Sequence, residues 1–239
     1  MKQNKKGFTL LELLVVVGIL AALVALALPF YQDYVNQSKL TAAQTDLQTF
    51  KKALTMYDQM ERTPFTGNDL RLLVGRYLQD FRVTATQQRP NDPWGVEYRF
   101  ETLAGTVTSG GPDGTITTAA TAREPAGDDI LVTWKPVFFV SGARAINQNI
   151  VEISFSRMVN TTTVAAADFT INNGIGNPSS VQKISNTVFR LITANMTAGT
   201  TYTLTITDAS ITALDGKAIA AADLKPDNTT TANVISFVF

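Results

Sequence analysis

The sequence contains neither cysteine nor histidine. Without cysteine there is no disulfide framework, no thiolate nucleophile and no cysteine-ligated zinc. Without histidine, the commonest general base and the commonest metal ligand of proteins are both missing. Any metal must therefore be bound through oxygen, which favours hard cations such as calcium.

The chain also lacks net charge. Its 20 Lys and Arg residues balance 20 Asp and Glu residues, and charged residues make up only 17% of the sequence. This balance gives no electrostatic reason to expect a nucleic-acid partner. At 239 residues, however, the chain is long enough for more than one folded unit.

One long apolar run is present near the start. The segment FTLLELLVVVGILAALVALALPF, residues 8–30, contains one charged residue, Glu12, and is about the 20 residues that span a bilayer. Lys2, Lys5 and Lys6 precede it, which predicts a cytoplasmic N-terminus. A secretory signal peptide would have a shorter apolar core, and a plain membrane anchor would carry no carboxylate. These two, and the buried helix of a soluble protein, are the ordinary alternatives.

The residues around Gly7 are more specific. The stretch Lys-Lys-Gly-Phe-Thr-Leu-Leu-Glu, residues 5–12, resembles the class III signal of type IV pilins and pseudopilins. The resemblance implies that a prepilin peptidase cleaves between Gly7 and Phe8, methylates the new amine to give N-methylphenylalanine, and leaves the apolar helix in place. Pro29 fits the same family, because its helices often carry a proline that loosens the helix during filament packing.

Glu12 then acquires a physical role. An ionised carboxylate in hydrocarbon costs on the order of 2.5–3.5 kcal/mol on insertion scales. Cleavage creates a partner for it, the new amine of Phe8 in a neighbouring subunit. Since an unpaired charge penalises a subunit out of register and a paired one fixes the axial step, we expect Glu12 to specify assembly more than stability.

The helix is expected to continue beyond Pro29. Apolar residues recur at spacings of three and four, which predicts an amphipathic stripe: Leu40, Ala43, Leu47, Phe50, Leu54 and Tyr57. We interpret this stripe as the face covered by the protein's own globular domain. A helix over residues 8–61 would be about 80 Å long at about 1.5 Å per residue. The missing amide donor of Pro29 predicts a kink or local melting there.

Three motifs follow in the middle of the chain: Asp-Pro-Trp-Gly at residues 92–95, Ser-x-Gly-x-Asp-Gly at 109–114 and Asp-Asp-Ile at 128–130. In this order they resemble the C-terminal part of the major pseudopilins of type II secretion systems, in which this loop binds calcium. Carried over by position, the resemblance implies four side-chain ligands: Ser109, Asp113, Asp128 and Asp129. Backbone carbonyls would complete the roughly 6–8 oxygens that calcium takes.

One departure from the family's pattern leaves alternatives to calcium. The family usually has a short glycine-rich connection between the two acidic elements, whereas residues 115–127 intervene here and include Arg123. An arginine could replace a cation by pairing with the carboxylates. The acids could also be solvated turn residues. Calcium is the expectation, and an Arg123-paired loop and a loop of solvated acids are the alternatives.

After Trp134-Lys135-Pro136 the sequence changes to short alternating runs rich in Thr, Ala, Val and Ile. Roughly seven such runs in about 100 residues predict a β-sandwich. The stretches VEISFSRMVN, residues 151–160, and ITALDGKAI, residues 211–219, resemble bacterial Ig-like domains of surface-layer and secreted proteins. That family is structural or adhesive and has no common active site. Asp215-Gly216 is therefore interpreted as a turn rather than a metal ligand.

These features predict an α+β chain. A long N-terminal helix in a type IV pilin fold packs on a small antiparallel sheet, and an all-β Ig-like sandwich follows. The expected divisions are a leader at residues 1–7, a transmembrane and assembly helix at 8–30, a pseudopilin globular domain at 31–135 and the Ig-like domain at 136–239.

The resemblance implies a filament subunit, and a type II secretion pseudopilin is the preferred interpretation. Its expected partners are copies of itself, other pseudopilins, the prepilin peptidase and an inner-membrane assembly platform with its ATPase. The ATPase must be a separate protein, because the chain shows no P-loop. Before assembly it would sit in the bacterial inner membrane with its globular part in the periplasm. It would then enter a periplasmic pseudopilus or an extracellular filament.

Two other functions compete with this one. The extra domain favours a surface pilin whose Ig-like domain mediates adhesion. An enzyme is not expected, because without His or Cys it would need carboxylate chemistry such as that of glycosidases. The acidic pair Asp128-Asp129 is already explained by the calcium loop.

Overall fold

A single long helix dominates the first quarter of the chain. The computed structural model describes residues 10–67, 69–79, 81, 88–207, 209–227 and 230–239. Helix α1 spans Leu10–Met60, with Pro29 inside it. Because the helix is continuous through Pro29, the predicted local melting is absent from this subunit.

The two halves of α1 have opposite environments. The N-terminal half is long and apolar enough to cross a membrane, with a mean hydropathy of 2.9, and none of that window is buried within the subunit. The C-terminal half is amphipathic, and it buries Ala43, Leu47, Phe50 and Leu54 as the spacing predicts. One continuous helix therefore has an exposed apolar N-terminal half and a C-terminal half that packs against the rest of the protein.

The first core forms where α1 meets a small antiparallel sheet. Strands β1 (Arg99–Glu101), β2 (Thr106–Ser109) and β3 (Ile130–Thr133) pair in the order β1-β2-β3. Phe50 of α1 lies edge-on to the rings of Tyr98 and Phe100, with centroids 5.0 and 5.3 Å apart. This aromatic contact fixes the sheet, and hence its loops, against the helix.

The C-terminal part contains a second core between two antiparallel sheets. One sheet has the order β4-β5-β8-β7 and the other has the order β10-β9-β6. The strands are β4 (Val140–Asn147), β5 (Ile150–Phe155), β6 (Phe169–Ile171), β7 (Ser180–Lys183), β8 (Val188–Ile192), β9 (Thr201–Ile206) and β10 (Val234–Val238). Alternate residues face inward, as in β5, so that Val151, Ile153 and Phe155 are buried. The predicted α+β fold class is confirmed.

Candidate functional sites

The assembly residues lie at the uncovered end of α1. Glu12 is in the first turn of the helix and is exposed, and the side chains next to it, Leu10 and Leu11, are 84% and 72% exposed. Gly7 and Phe8, the predicted cleavage and methylation residues, lie outside the described part of the chain. An apolar surface of this extent needs lipid or protein around it.

Asp92 organises the base of the acidic loop. Its Oδ1 accepts hydrogen bonds from the amides of Trp94 (3.0 Å) and Val96 (2.9 Å), as a turn-forming aspartate does. Its Oδ2 accepts from the Ser109 hydroxyl (2.7 Å) and from the Gly110 amide (3.1 Å). Asp92 is not among the four predicted ligands, although an aspartate that opens an Asp-Pro-Trp-Gly turn is a signal for this role.

Asp113 and Asp128 face each other across the loop. The Asp113 amide donates to Asp128 Oδ2 at 2.8 Å, and Asp113 Oδ1 accepts from the Thr115 amide at 2.7 Å. Gly111 makes this approach possible, because its φ is +64° and a Cβ there would lie 2.2 Å from the Asp128 carbonyl oxygen. The glycine-rich stretch therefore closes onto the second acidic element.

Asp129 is the most deeply placed acid of this loop. The residue is only 6% exposed, and its Oδ2 accepts from the amides of Thr117 (3.0 Å) and Thr118 (2.6 Å). Its Oδ1 is buried and has no hydrogen-bond partner. Because an unsatisfied buried acceptor is unfavourable, this oxygen is the one atom of the loop that a bound cation would satisfy.

The predicted ligand set fits a calcium ion only in part. Ser109, Asp113, Asp128 and Asp129 are brought to one loop, but within the described residues no three acidic side chains converge on a position that could hold a metal. The Ser109 hydroxyl donates to Asp92 Oδ2, and its oxygen accepts from the Gly111 amide at 3.3 Å. The loop thus offers oxygen atoms that could ligate a cation, one of which has no hydrogen-bond partner, but these atoms are not arranged as a preformed metal site.

Arg123 does not take the place of a cation. Its guanidinium donates to the carbonyl of Ala104 and, at 2.6 Å, to that of Lys135. The intervening loop therefore carries this side chain away from the acids, toward the start of the C-terminal part. The Arg123-paired alternative for the acidic loop is wrong.

Asp215 is a turn residue with a second role. Its Oδ1 accepts from the Lys217 amide at 3.3 Å, as the turn interpretation requires. Its Oδ2 accepts from Lys135 Nζ (2.9 Å) and Arg157 Nη1 (3.2 Å). The three side chains are 2%, 4% and 7% exposed respectively. This ion cluster lies where the two cores meet, and nothing in the local sequence predicted it.

A half-buried carboxylate lies close to this cluster. Asp58, near the end of α1, accepts a hydrogen bond from the Phe65 amide at 2.6 Å. Burial raises the pKa of Asp58, and the nearby Asp215 adds to the rise while Lys135 opposes it. The end of α1 thus interacts electrostatically with the cluster of Asp215, Lys135 and Arg157.

Comparisons with known families divide the chain into three matches. Residues 2–28 match the prokaryotic N-terminal methylation motif. Residues 31–124 match protein G of the type II secretion system. Residues 133–237 match a bacterial Ig-like domain. The three matches follow one another along the chain in the order that the motifs predicted.

Curated relatives include both secretion and pilus proteins. The type II secretion system core protein G of Dickeya chrysanthemi is 32% identical over 48% of this chain and 82% of its own length. The type IV major alpha-pilin of Moraxella bovis is 31% identical over 54% of this chain and 76% of its own. Among solved structures, the N-terminal part of the S-layer protein SbsC is 19% identical over 42% of this chain and 23% of that structure, with a TM-score of 0.33, too low to carry an argument.

Proposed function

Because this chain belongs to the family of type IV pilins and type II secretion pseudopilins, which are structural and not enzymatic, we propose that it is a pseudopilus subunit of a type II secretion system. The observation that carries the proposal is the contrast within α1. Its C-terminal half is buried against its own domain, whereas its apolar N-terminal half is uncovered and requires neighbours. The match of residues 31–124 to protein G supports secretion over surface pili.

The proposed life cycle follows from the N-terminal segment. Residues 1–7 are a leader, a prepilin peptidase cleaves between Gly7 and Phe8, and Phe8 is N-methylated. Residues 8–30 then hold the subunit in the inner membrane, with residues 31–135 and the Ig-like domain at 136–239 in the periplasm. An assembly platform and its ATPase extract the subunit into a filament of its own copies and other pseudopilins.

Within the filament, Glu12 and Pro29 are the proposed assembly residues. The Glu12 carboxylate pairs with the methylated amine of Phe8 in a neighbouring subunit, because hydrocarbon strongly penalises an isolated charge. Pro29 contributes no amide to the helix, so the helix is weakest there and adjusts to the packing of its neighbours. The continuous α1 of the subunit is the starting state for that adjustment.

Calcium binding at the acidic loop is a second part of the proposal. The proposed ligands are Ser109, Asp113, Asp128 and Asp129, with carbonyl oxygens. It is supported by the absence of any nitrogen or sulfur ligand of the His or Cys type and by the orphaned Oδ1 of Asp129. An ion there would neutralise carboxylates that accept hydrogen bonds from backbone amides of the loop.

A surface pilin is the alternative, and the appended domain favours it. The Ig-like part has its own core of buried residues, distinct from that of the pilin part. The match to protein G ends at residue 124, and the match to the Ig-like domain begins at residue 133. A domain of this size on an extracellular fibre would be available for adhesion.

The deciding experiment uses a deletion strain, with its secreted proteome measured and its surface filaments imaged. Accumulation of exoproteins in the periplasm, with surface fibres intact, is the expected result. Normal secretion with the loss of one class of fibre would replace the secretion proposal with the pilin. Complementation by the full chain controls for effects on neighbouring genes.

A further inference from the structure

The turn between β1 and β2 concentrates an unusual set of charges. We call residues 102–104 the junction turn. Its three successive carbonyls accept from three cations: Lys135 Nζ to Thr102 at 3.2 Å, Arg157 Nη1 to Leu103 at 3.2 Å, and Arg123 Nη1 to Ala104. Burial lowers the pKa of Arg123 and Arg157; the Arg157 side chain is only 7% exposed, and Arg123 is partly buried. Groups buried in this way must be held by specific partners.

The three cations come from three different parts of the chain. Arg123 belongs to the long loop of the pilin part, Lys135 to the connection between the two parts, and Arg157 to the Ig-like part. Lys135 Nζ also donates to the Phe65 carbonyl at 3.0 Å, and Arg157 Nε donates to that of Pro136 at 2.8 Å. The junction turn is therefore the common anchor of both folded parts and of their connection.

Asp215 closes the cluster from the side of the Ig-like part. Its carboxylate contacts Lys135 and Arg157, the same two cations that hold the junction turn. The Leu103 side chain would lie 3.8 Å from a Cβ at Gly216, so the two turns are also in close apposition. Lys135 must be correctly placed for this cluster to form.

Arg123 places Lys135. One guanidinium nitrogen is bonded to the junction turn and the other, at 2.6 Å, to the backbone carbonyl of Lys135. This planar side chain thus links the connecting segment to the junction turn, in the fork geometry that suits arginine, next to the bond from the Trp134 amide to the Gly105 carbonyl at 2.9 Å. The cleft beside it, about 730 Å³, is lined by Glu124 and by Asp223 and Leu224 of the Ig-like part.

Hydrogen bonds hold both ends of the loop that carries Arg123. Asp129 holds the amides of Thr117 and Thr118 at its start. The Thr118 hydroxyl accepts from the Ala126 amide at 2.9 Å, which joins the start of the loop to its end. Residues 115–127 therefore form a closed loop whose two ends lie beside the acidic residues, while Arg123 in its middle reaches the junction turn.

We propose that residues 115–127 are a clasp that holds the Ig-like domain in one orientation relative to α1, with Arg123 as its positioning residue. The longer loop and the appended domain, two departures from a compact pseudopilin, are then one adaptation. The clasp makes the Ig-like domain a fixed projection of the subunit instead of a domain tethered by a flexible connection. This holds for a pseudopilus and for a surface pilus alike.

The test measures the distance between the two parts of the full chain in detergent micelles. Because the sequence has no cysteine, the substitutions Gln48→Cys on α1 and Thr170→Cys on β6, both at exposed positions, provide two unique sites for spin labels. Pulsed electron–electron double resonance then gives the distribution of distances. A single narrow distance is expected for the otherwise unaltered chain, and loss of that narrow peak is expected with Arg123→Ala.

Two further variants make the result decisive. Arg144→Ala removes an arginine from the exposed face of the Ig-like sheet, where it pairs with Glu152, and should leave the distribution narrow. Arg123→Lys keeps the charge but replaces the planar fork of two donor nitrogens with a single nitrogen on a flexible stem, and should broaden the distribution even if Arg123→Ala fails to fold. An unchanged narrow peak in either folded Arg123 variant would overturn the proposal, as would a broad peak in the unaltered chain.

Discussion

The sharpest energetic prediction concerns Asp215. The variant Asp215→Asn keeps the shape of the side chain and removes its charge. It leaves Lys135 and Arg157, whose side chains are 4% and 7% exposed, without the carboxylate that both of them contact. Breaking a buried ion pair by removing one partner costs about 3–5 kcal/mol, because the remaining charge stays buried and uncompensated. We expect a loss of about this size.

The assay is urea unfolding of the full chain in detergent, followed by tryptophan fluorescence. Trp134 adjoins Lys135 at the junction, with the ammonium 5.5 Å from its ring centroid, so its emission reports on this region. The double variant Asp215→Asn with Lys135→Met should lose less than the sum of the two single losses, because removing both partners also removes a buried charge.

Glu152→Gln is the matched control. Glu152 also accepts from two arginines, Arg144 and Arg190, but their side chains are 70% and 39% exposed. Exposed ion pairs contribute little, so this variant should be far less destabilised than Asp215→Asn. Equal losses for the two variants, or a loss under about 1 kcal/mol for Asp215→Asn, would refute the reasoning, since buried pairs are expected to differ from exposed ones in this way.

Four further predictions follow from the structure. Excess calcium should raise the melting temperature and a chelator should lower it, and Asp129→Asn should abolish the difference; melting that is indifferent to both would count against the ion. Glu12→Ala should reduce incorporation into filaments, measured by immunoblotting of sheared or purified fibres, without lowering the melting temperature; normal incorporation would contradict its role. Gly111→Ala should lower the free energy of unfolding in urea by more than the roughly 1–2 kcal/mol that a left-handed residue costs, because the added Cβ meets a backbone oxygen at 2.2 Å. Gly174→Ala is the control and should cost no more than the backbone conformation itself, because Gly174 has a φ of +82° and nothing lies within 4 Å of an added Cβ. Burial raises the pKa of Asp58 above its ordinary 3.8, so the folded chain keeps this proton to higher pH than the unfolded chain does. The free energy of unfolding should therefore fall as pH rises from about 3.8 through the raised pKa of the folded chain. Urea titrations over this pH range should show a smaller fall in the free energy of unfolding for Asp58→Asn.

What could be predicted from the sequence was local. The spacing of Leu47, Phe50 and Leu54 reports a helical face directly, because residues three and four apart are neighbours on a helix. These residues are buried in the pilin core, as expected. The short alternating runs predicted strands for the same reason, since alternate side chains share one face of a sheet.

What could not be predicted depends on contacts between distant residues. The turn at Asp215 was evident from Asp-Gly, but its bond to Lys135 joins residues 80 positions apart. Arg123 was considered as a partner of the acids only one loop away, yet it reaches carbonyls 19 and 12 residues distant. No periodicity encodes such pairings, because they depend on how two separate cores pack against each other.

The distribution of charge supports a subunit whose two parts act as one body. Among the ion pairs in the described part of the chain, those of Asp215 alone have both partners buried. A buried ion pair is weak evidence for stability, since a well-packed apolar contact can stabilise as much, but it discriminates against wrong arrangements because any misplaced charge is left unpaired. The junction is therefore built for a defined geometry more than for strength. A filament that repeats one subunit many times repeats that geometry as well, so a fixed Ig-like domain would recur at regular positions along the fibre.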